Sequence, residues 1–484
     1  MTLLEALAPV EVLDLRGSGD TAVTRVDFDS RSVEPGSLFC CIPGADHDGH
    51  DFADAAVEGG AASLLVERPL SGPRVEAVPQ VVVASVRNAV GPVAARVEGD
   101  PSREIDVVGI TGTNGKTTTT YLLANIIAAD GRTPHVIGTL SGARTTPEAP
   151  DLQRQLAAAR DSGCTVAMEV SSHALDLHRV DGTHFAVAVF TNLTRDHLDH
   201  HGTMADYFAA KARLFTPELS ASAVVCLDDE HGRRLHAAAS VPTTGFCLAD
   251  LEDLEVGLAR SRFRWRGYAV EVPIGGRFNV MNAVAAAEAA LALGIDPAVA
   301  AAGLGRPLVV PGRFEHIDAG QPFAVVVDYA HTPDGLVQVL RAADEVASQV
   351  VVVFGCGGDR DHSKRGPMGR AAVRGADVVV LTADNSRGEA VEDILAEVVA
   401  GIEDAPVAER RAVEVLVEPD RRQAIGVAIG KGGPGAVVVI AGKGHEDTIT
   451  AGGSTRTFDD RVVAREELAT QGWTTTTSTG EGLA

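Results

Sequence analysis

Residues 107–120 read VVGITGTNGKTTTT, and few arrangements other than strand, glycine turn and helix accommodate them. The apolar run 107–110 suits a buried strand, Gly109, Gly112 and Gly115 interrupt it, and the stretch 117–129 has helical length. The spacing Gly109-x5-Gly115-Lys116-Thr117 is one residue longer than the strict GxxxxGK[ST] phosphate loop. Glycines let backbone N–H groups converge on phosphate oxygens, and a helix N-terminus adds its positive end. Lys116 would bridge the β- and γ-phosphates while the Thr117 hydroxyl ligates Mg²⁺. The pattern points to a nucleoside triphosphate and is silent on the acceptor.

Short apolar runs recur at 107–110, 165–168, 185–190, 223–227, 323–327, 350–354, 378–381, 413–417 and 436–441, without polar alternation. Strands buried on both faces read this way. Ala- and Leu-rich stretches at 117–129, 279–293 and 389–402 lie between them, so the chain reads as α/β, with parallel sheets covered by helices. The polar segment 98–104 (EGDPSRE) and the Pro311-Gly312-Arg313 turn divide the 484 residues into units 1–97, 98–313 and 314–484. The Thr- and Gly-rich tail 470–484 has little to bury and is expected to fray.

Asp and Glu number 66 against 42 Lys and Arg, a net charge of −24 that disfavours nucleic acid and anionic membranes as partners. No apolar run reaches the ~18 residues of a spanning helix. Glu5 and Glu11 occupy a region that a secretion signal would make basic, so the expected compartment is the cytoplasm. The six cysteines include no CxxC pair, which argues against a disulfide framework and a thiolate metal site; most are expected to be buried. The oligomeric state is left open.

Glu169 follows the run 165–168, at the carboxyl end of a strand one crossover after the phosphate loop, where an NTPase needs a Mg²⁺ carboxylate. The run 185–190 leads into TNLTRDHLDHH (191–201), which reads either as a surface tract that picks up metal or as a hard-ion site admitting His197. Lys211, in YFAAK (207–211), falls on an amphipathic helix and taken alone reads as solvated.

With these segments the chain resembles the ATP-dependent Mur ligases. The resemblance is carried by DSRSVEPGSLF (29–39), GITGTNGKTTTT (109–120), RTTPEAP (144–150), EVSSHALDLHRV (169–180), TNLTRDHLDHHG (191–202), YFAAKARLF (207–215) and GRFNVMNA (276–283). It continues through VPGRFE (310–315), VVDYAHTPDG (326–335), FGCGGDRDHSKR (354–365), ADNSR (383–387), EPDRRQAI (418–425) and AGKGHED (441–447), so almost the whole chain is covered.

The resemblance implies a central P-loop ATPase domain with a parallel sheet, flanked by a smaller N-terminal α/β domain for a UDP-sugar and a C-terminal Rossmann-like α/β domain for an amino acid. It implies that Gly112, Thr113, Asn114, Gly115, Lys116, Thr117 and Thr118 hold ATP, with Asn279, Arg313, Asp328 and His331 as further nucleotide contacts. Mg²⁺ would be held by Thr117, Glu169, His197 and Lys211, the last as carbamylated N6-carboxylysine; Lys116, Glu169, His197 and Lys211 form the catalytic set. Ser30, Thr145, Thr146, Ser171 and Arg179 would contact the UDP-sugar-peptide. The implied reaction activates a substrate carboxylate as an acyl phosphate and transfers it to an amino group, within cytoplasmic peptidoglycan precursor synthesis. The implied substrates are ATP, UDP-N-acetylmuramoyl-L-alanyl-D-glutamate and meso-diaminopimelate.

Asp384-Asn385-Ser386-Arg387 sits where the family's diaminopimelate enzymes carry D-N-P-R. Diaminopimelate has an amino-acid group at each end. Arg387 and Arg360 could bind its far carboxylate, and the Gly442 carbonyl and Glu446 its far ammonium. A lysine pocket would leave Arg387 charged and unpaired, at a cost of about 1–3 kcal/mol. Ser386 replaces the family's Pro and frees a backbone dihedral; Arg144 and Leu177 stand where relatives carry Asn and Gln. The alternatives are the same reaction with L-lysine or another diamino acid, an acceptor like that of folylpolyglutamate synthase, a P-loop kinase or NTPase switch, and a non-catalytic nucleotide-binding scaffold.

Overall fold

The structure, a computed structural model, describes residues 1–44 and 47–474. All nine apolar runs contain strands, distributed over the two six-stranded sheets. The first sheet runs, edge to edge, Asp14–Arg16, Gln80–Val82, Ala61–Val66, Ser37–Cys40 and Arg25–Asp27, parallel except at the Asp14–Arg16 edge.

The central sheet is parallel throughout, in the order Thr243–Phe246, Ala223–Cys226, Val187–Phe190, Val107–Thr111, Cys164–Glu169 and Thr133–Ile137. Alternate side chains of one strand enter two separate cores. Val108 and Ile110 pack with Leu122, Ile126 and Val284 of helices Lys116–Ala129 and Arg277–Ala292. Val107 packs with Leu152 and Leu156 of helix Ala149–Asp161. Both faces being covered is what makes such strands continuously apolar, each buried Val or Ile contributing about 1.5–3 kcal/mol.

The third sheet runs Glu315–Ile317, Ala324–Asp328, Ala436–Ala441, Gln349–Phe354, Val378–Leu381 and Glu414–Val417, parallel except for the antiparallel Glu315–Ile317 edge. The run 413–417 departs from the expected two-faced burial: Val413 is 86% and Val417 51% exposed, because Glu414–Val417 is an edge strand left partly open to solvent. Behind the carboxyl ends of this sheet lies a fully buried ion pair. Arg421 donates through Nε and Nη2 to Asp460 at 2.8 and 2.6 Å, and also to the carbonyls of Ala383 and Ala441, both at 3.0 Å.

A small antiparallel sheet, Glu252–Val256, Ser261–Trp265 and Tyr268–Val272, was not foreseen. Its alternating burial in Ser261–Trp265 seats Phe263 and Trp265 against helix Arg277–Ala292, where the Trp265 indole donates to Glu288 at 2.9 Å. Fraying does not begin at residue 470. Helix Asp460–Thr470 is followed by Trp473, whose ring meets Phe323 edge-on at 6.3 Å, and the rest of the tail, 475–484, lies outside the described residues. Five cysteines are buried and Cys247 is half-buried. Among the described residues no helix is long and apolar enough to cross a membrane.

Candidate active site

The carboxyl ends of the central strands face those of the third sheet, the place where open α/β sheets bind ligands. A cleft of about 800 Å³ lies there, lined by residues 113–118, Thr145, Glu169, Ser171, His197, Lys211, Asn279, Arg313, Asp328 and His331. Residues up to 220 positions apart in the chain meet in it, as when the Asn114 amide donates to Asp334 at 3.3 Å.

The phosphate loop leaves strand Val107–Thr111 and enters helix Lys116–Ala129. Its glycines are required by space and by backbone angle. Gly112 has φ 151°, and a Cβ there would stand 1.9 Å from the Thr191 hydroxyl; Gly115 has φ 87°, and a Cβ would stand 2.2 Å from Asn282 Oδ1. The loop is braced from outside: Asn192 Oδ1 accepts from the Asn114 N–H at 2.9 Å and Thr191 donates to the Asn114 carbonyl at 2.6 Å. Thr118, just inside the helix, is buried beneath it. The Lys116 ammonium folds back onto the carbonyls of Gly112 and Thr113, both at 2.8 Å, and burial lowers its pKa.

Glu169 ends strand Cys164–Glu169 and is 1% exposed. Its carboxylate accepts from the Thr117 hydroxyl at 3.0 Å, the Thr139 N–H at 2.8 Å and the Thr139 hydroxyl at 3.2 Å. The hydroxyl and carboxylate oxygens that the resemblance assigns to Mg²⁺ are therefore already adjacent. Such hard oxygens fit that ion.

Lys211 is 1% exposed, which overturns its reading as a solvated lysine: the helix Met204–Ala212 turns it inward. Its Nζ donates to the Gly112 carbonyl at 2.9 Å and lies 4.8 Å from the Tyr207 ring centre, while the Tyr207 and Thr113 hydroxyls pair at 3.0 Å. Burial, helped by the charge of Lys116, pushes the Lys211 amine well below its usual pKa. His197 takes the left-handed conformation (φ 54°), and burial, opposed by the Asp196 charge, pulls its imidazole pKa down. Asp196 stands between His197 (3.5 Å) and His331 (3.8 Å); burial opposes its ionisation, but His331, His197 and Lys364 together hold its pKa below the usual value.

From the far side, Arg313 places its guanidinium 4.3 Å over the Tyr329 ring and reaches the Thr117 hydroxyl at 3.5 Å. Asp328 accepts from the backbone N–H groups of Phe314 (2.7 Å) and Ala330 (2.8 Å), and burial pushes its pKa up to about 6. Asn279 is buried, donating to the Gly275 carbonyl and accepting from Asn282. His331 is oriented by its contact to the Tyr329 carbonyl at 2.8 Å.

The remaining residues form two clusters, the first of which reaches the cleft through Thr145 and Ser171. Thr145 pairs with Thr139 at 3.0 Å, and the Thr146 hydroxyl donates to the Glu169 carbonyl and accepts from the Ser171 N–H, so these three gather around Glu169. Nearby, Glu148 is approached by Arg144 (2.8 Å), Arg179 through Nε (3.0 Å) and Arg87 (4.0 Å); three guanidiniums on one carboxylate leave positive charge for an anion. Ser30, in the turn after Arg25–Asp27, makes no hydrogen bond to any of them.

In the second cluster, the Asn385 amide donates to Glu446 at 2.8 Å, and Lys443, fully buried, donates to Glu446 at 3.1 Å and lies 3.9 Å from Asp384. Arg387, at φ 52°, donates to the Gly358 carbonyl at 2.6 Å. Arg360 is exposed beside Gly357, the glycine that Arg387 also approaches. A Cβ on Gly442 would stand 3.0 Å from Asp384, tying the two strand ends together. Asp196, Asn192, Tyr207 and Asp334 were not singled out from sequence; the first two lie within the TNLTRDHLDHH tract, and the others become visible only through contacts distant along the chain.

Fold and cleft together define a P-loop enzyme that works on ATP between two α/β units. Three family models match: Mur ligase family, catalytic domain, at 22–99; Mur ligase middle domain at 110–290; and Mur ligase, glutamate ligase domain, at 312–444. The chain belongs to the Mur ligase family, whose members are ATP-dependent, ADP-forming amide ligases. It is 45% identical to UDP-N-acetylmuramoyl-L-alanyl-D-glutamate--2,6-diaminopimelate ligase of Streptomyces avermitilis, over 94% of each chain. It is 41% identical to the ligase of the same name from Geobacillus kaustophilus, over 98% of this chain and 100% of that one. A solved structure of a UDP-N-acetylmuramoyl-L-alanyl-D-glutamate--2,6-diaminopimelate ligase matches with a TM-score of 0.67 at 33% identity, over 98% of this chain and 99% of that one. MurF from Acinetobacter baumannii, at 21% identity and a TM-score of 0.67, over 91% of this chain and 95% of that one, shares the fold.

Proposed function

We propose that the chain joins meso-diaminopimelate to UDP-N-acetylmuramoyl-L-alanyl-D-glutamate at the expense of ATP, as a cytoplasmic step of peptidoglycan precursor synthesis. The observation that carries this reading is the cleft that joins the phosphate loop, Glu169 and Lys211 to Arg313 and Asp328, its wall including Thr145 and Ser171. Full-length similarity to ligases named for this substrate pair supports it.

In this reading the unit 1–97 and residues Ser30, Thr145, Thr146, Ser171 and Arg179 hold the UDP-sugar-peptide, and the unit 314–484 holds the amino acid. The substrate carboxylate oxygen attacks the γ-phosphorus of ATP, the bond to the β-phosphate oxygen breaks, and ADP leaves. Lys116 exchanges its loop carbonyls for phosphoryl oxygens, and Arg313 adds positive charge from the opposite wall. Mg²⁺, when bound, would be held by Thr117, Glu169, His197 and carbamylated Lys211, and would neutralise charge on the phosphate oxygens. The unprotonated amine of diaminopimelate then attacks the acyl-phosphate carbon, and the tetrahedral intermediate expels phosphate and sheds the amine proton, leaving an amide. Arg387 and Arg360 pair with the far carboxylate, while Asp384, Asn385, Glu446 and the Gly442 carbonyl surround the far ammonium. Closure of Arg313 over Thr117 keeps water from the acyl phosphate.

The test is phosphate release from ATP with the UDP-dipeptide and meso-diaminopimelate, L-lysine or L-ornithine supplied separately, with product masses recorded. Turnover and an amide product with diaminopimelate are expected. Equal turnover with lysine, or phosphate release that needs no amino acid, would overturn the assignment.

A further inference from the structure

Beside the catalytic cleft, the Asp176 carboxylate, His200 and His201 offer one ligand atom each, all within 4.8 Å of one another. Asp176 ends helix Ser172–Asp176; His200 and His201 end the neighbouring helix Leu198–His201. His200 Nε2 and Asp176 Oδ2 are 2.8 Å apart, and His201 Nε2 is 2.9 Å from the Ser172 hydroxyl. The two adjacent imidazoles are nearly perpendicular (89°, centres 4.7 Å apart), so their nitrogens converge from different directions rather than stacking.

We infer that Asp176, His200 and His201 form a second cation site, selective for a borderline transition-metal ion of the Zn²⁺ class and separate from the Mg²⁺ site at Thr117 and Glu169. Two imidazoles and one carboxylate are a poor set for Mg²⁺, which takes oxygen ligands, and a good one for Zn²⁺ or Co²⁺. At metal–nitrogen distances of about 2.0–2.1 Å, ligand atoms of a tetrahedral site stand roughly 3.3 Å apart, which small side-chain rotations reach from the present arrangement. Three protein ligands leave a position for water.

His173 links the two sites. Its ring packs 4.2 Å from that of His200 and 4.8 Å from that of His197, and it makes no side-chain hydrogen bond among the described residues. An ion bound by Asp176 and His200 clamps helix Ser172–Asp176 to helix Leu198–His201, the helix that His197 precedes as N-cap. Occupancy of this site therefore fixes the turn that presents His197.

Co²⁺ titration of the untagged protein in excess Mg²⁺, followed by ligand-field absorption, tests this. One Co²⁺ per chain is expected, bound in Glu169→Gln as in the wild type and weakened by about tenfold or more in His200→Ala and in Asp176→Asn. Both weakened variants alter exposed side chains, and thermal melts matching the wild type show that they are folded. Absence of Mg²⁺-resistant binding, binding unchanged in both variants, or binding lost in Glu169→Gln would each overturn the inference.

Discussion

Lys116 and Lys211 donate to the same oxygen, the carbonyl of Gly112, at 2.8 and 2.9 Å. Two ammonium groups on one buried acceptor repel each other, and the lowered pKa of Lys211 relieves this by favouring its neutral amine. A neutral amine is the form that adds to CO₂: an N–C bond forms, a proton leaves to solvent, and the product is a carbamate anion. That change places a negative charge beside Lys116. Lys211→Ala should lower turnover by about 100-fold or more, with partial recovery in short carboxylates. The wild type should lose activity in CO₂-depleted buffer and regain it with bicarbonate; full activity in Lys211→Ala would contradict the assignment.

Asp328 gives the nucleotide side a pH dependence. Its folded pKa is raised to about 6, so the carboxyl takes up its proton as pH falls through that value and loses acceptor capacity that it would offer to a hydroxyl of ATP. The KM for ATP should rise below about pH 6 in the wild type and stay flat in Asp328→Asn. Stability has the opposite slope: because the native value lies above the unfolded one, the contribution is present below the unfolded pKa and fades as pH rises through about 6. Thermal melts of the two proteins across that window would show the difference.

Arg387 sits on the Gly358 carbonyl at 2.6 Å, a contact that the far carboxylate of diaminopimelate would replace. Arg387→Ala should raise the KM for diaminopimelate by roughly 10- to 100-fold, about 1–3 kcal/mol, and leave that for ATP unchanged. Steady-state kinetics with each substrate varied in turn decides it.

The Arg421–Asp460 pair holds the carbonyls of Ala383 and Ala441, each just before a residue proposed to meet the amino acid, Asp384 or Gly442. Asp460→Ala strands a buried guanidinium and should cost about 3–5 kcal/mol in denaturant unfolding. Its KM for the amino acid should rise more than its KM for ATP.

The legible part of this protein lies where one segment contains the whole signal. The stretch 107–120 holds strand, glycines, lysine and helix in order, and strands such as Gln349–Phe354 are apolar at successive positions because both sheet faces are covered. The valines at 413, 415 and 417 looked alike in sequence but lie on the sheet's edge, a fact that belongs to topology. Lys211 looked solvated because helical periodicity places it on a face without saying what covers that face; the loop carbonyl 99 residues away does. Tyr207 and Asp334 were missed for the same reason, since their partners Thr113 and Asn114 lie 94 and 220 residues away.

The most direct test of the account follows oxygen through the reaction. The UDP-dipeptide is prepared with heavy oxygen in the glutamyl carboxylate that becomes the amide, and turned over with ATP and meso-diaminopimelate. Activation as an acyl phosphate predicts one labelled oxygen in the inorganic phosphate and none in ADP. Label recovered in AMP, or phosphate released without label, would contradict it.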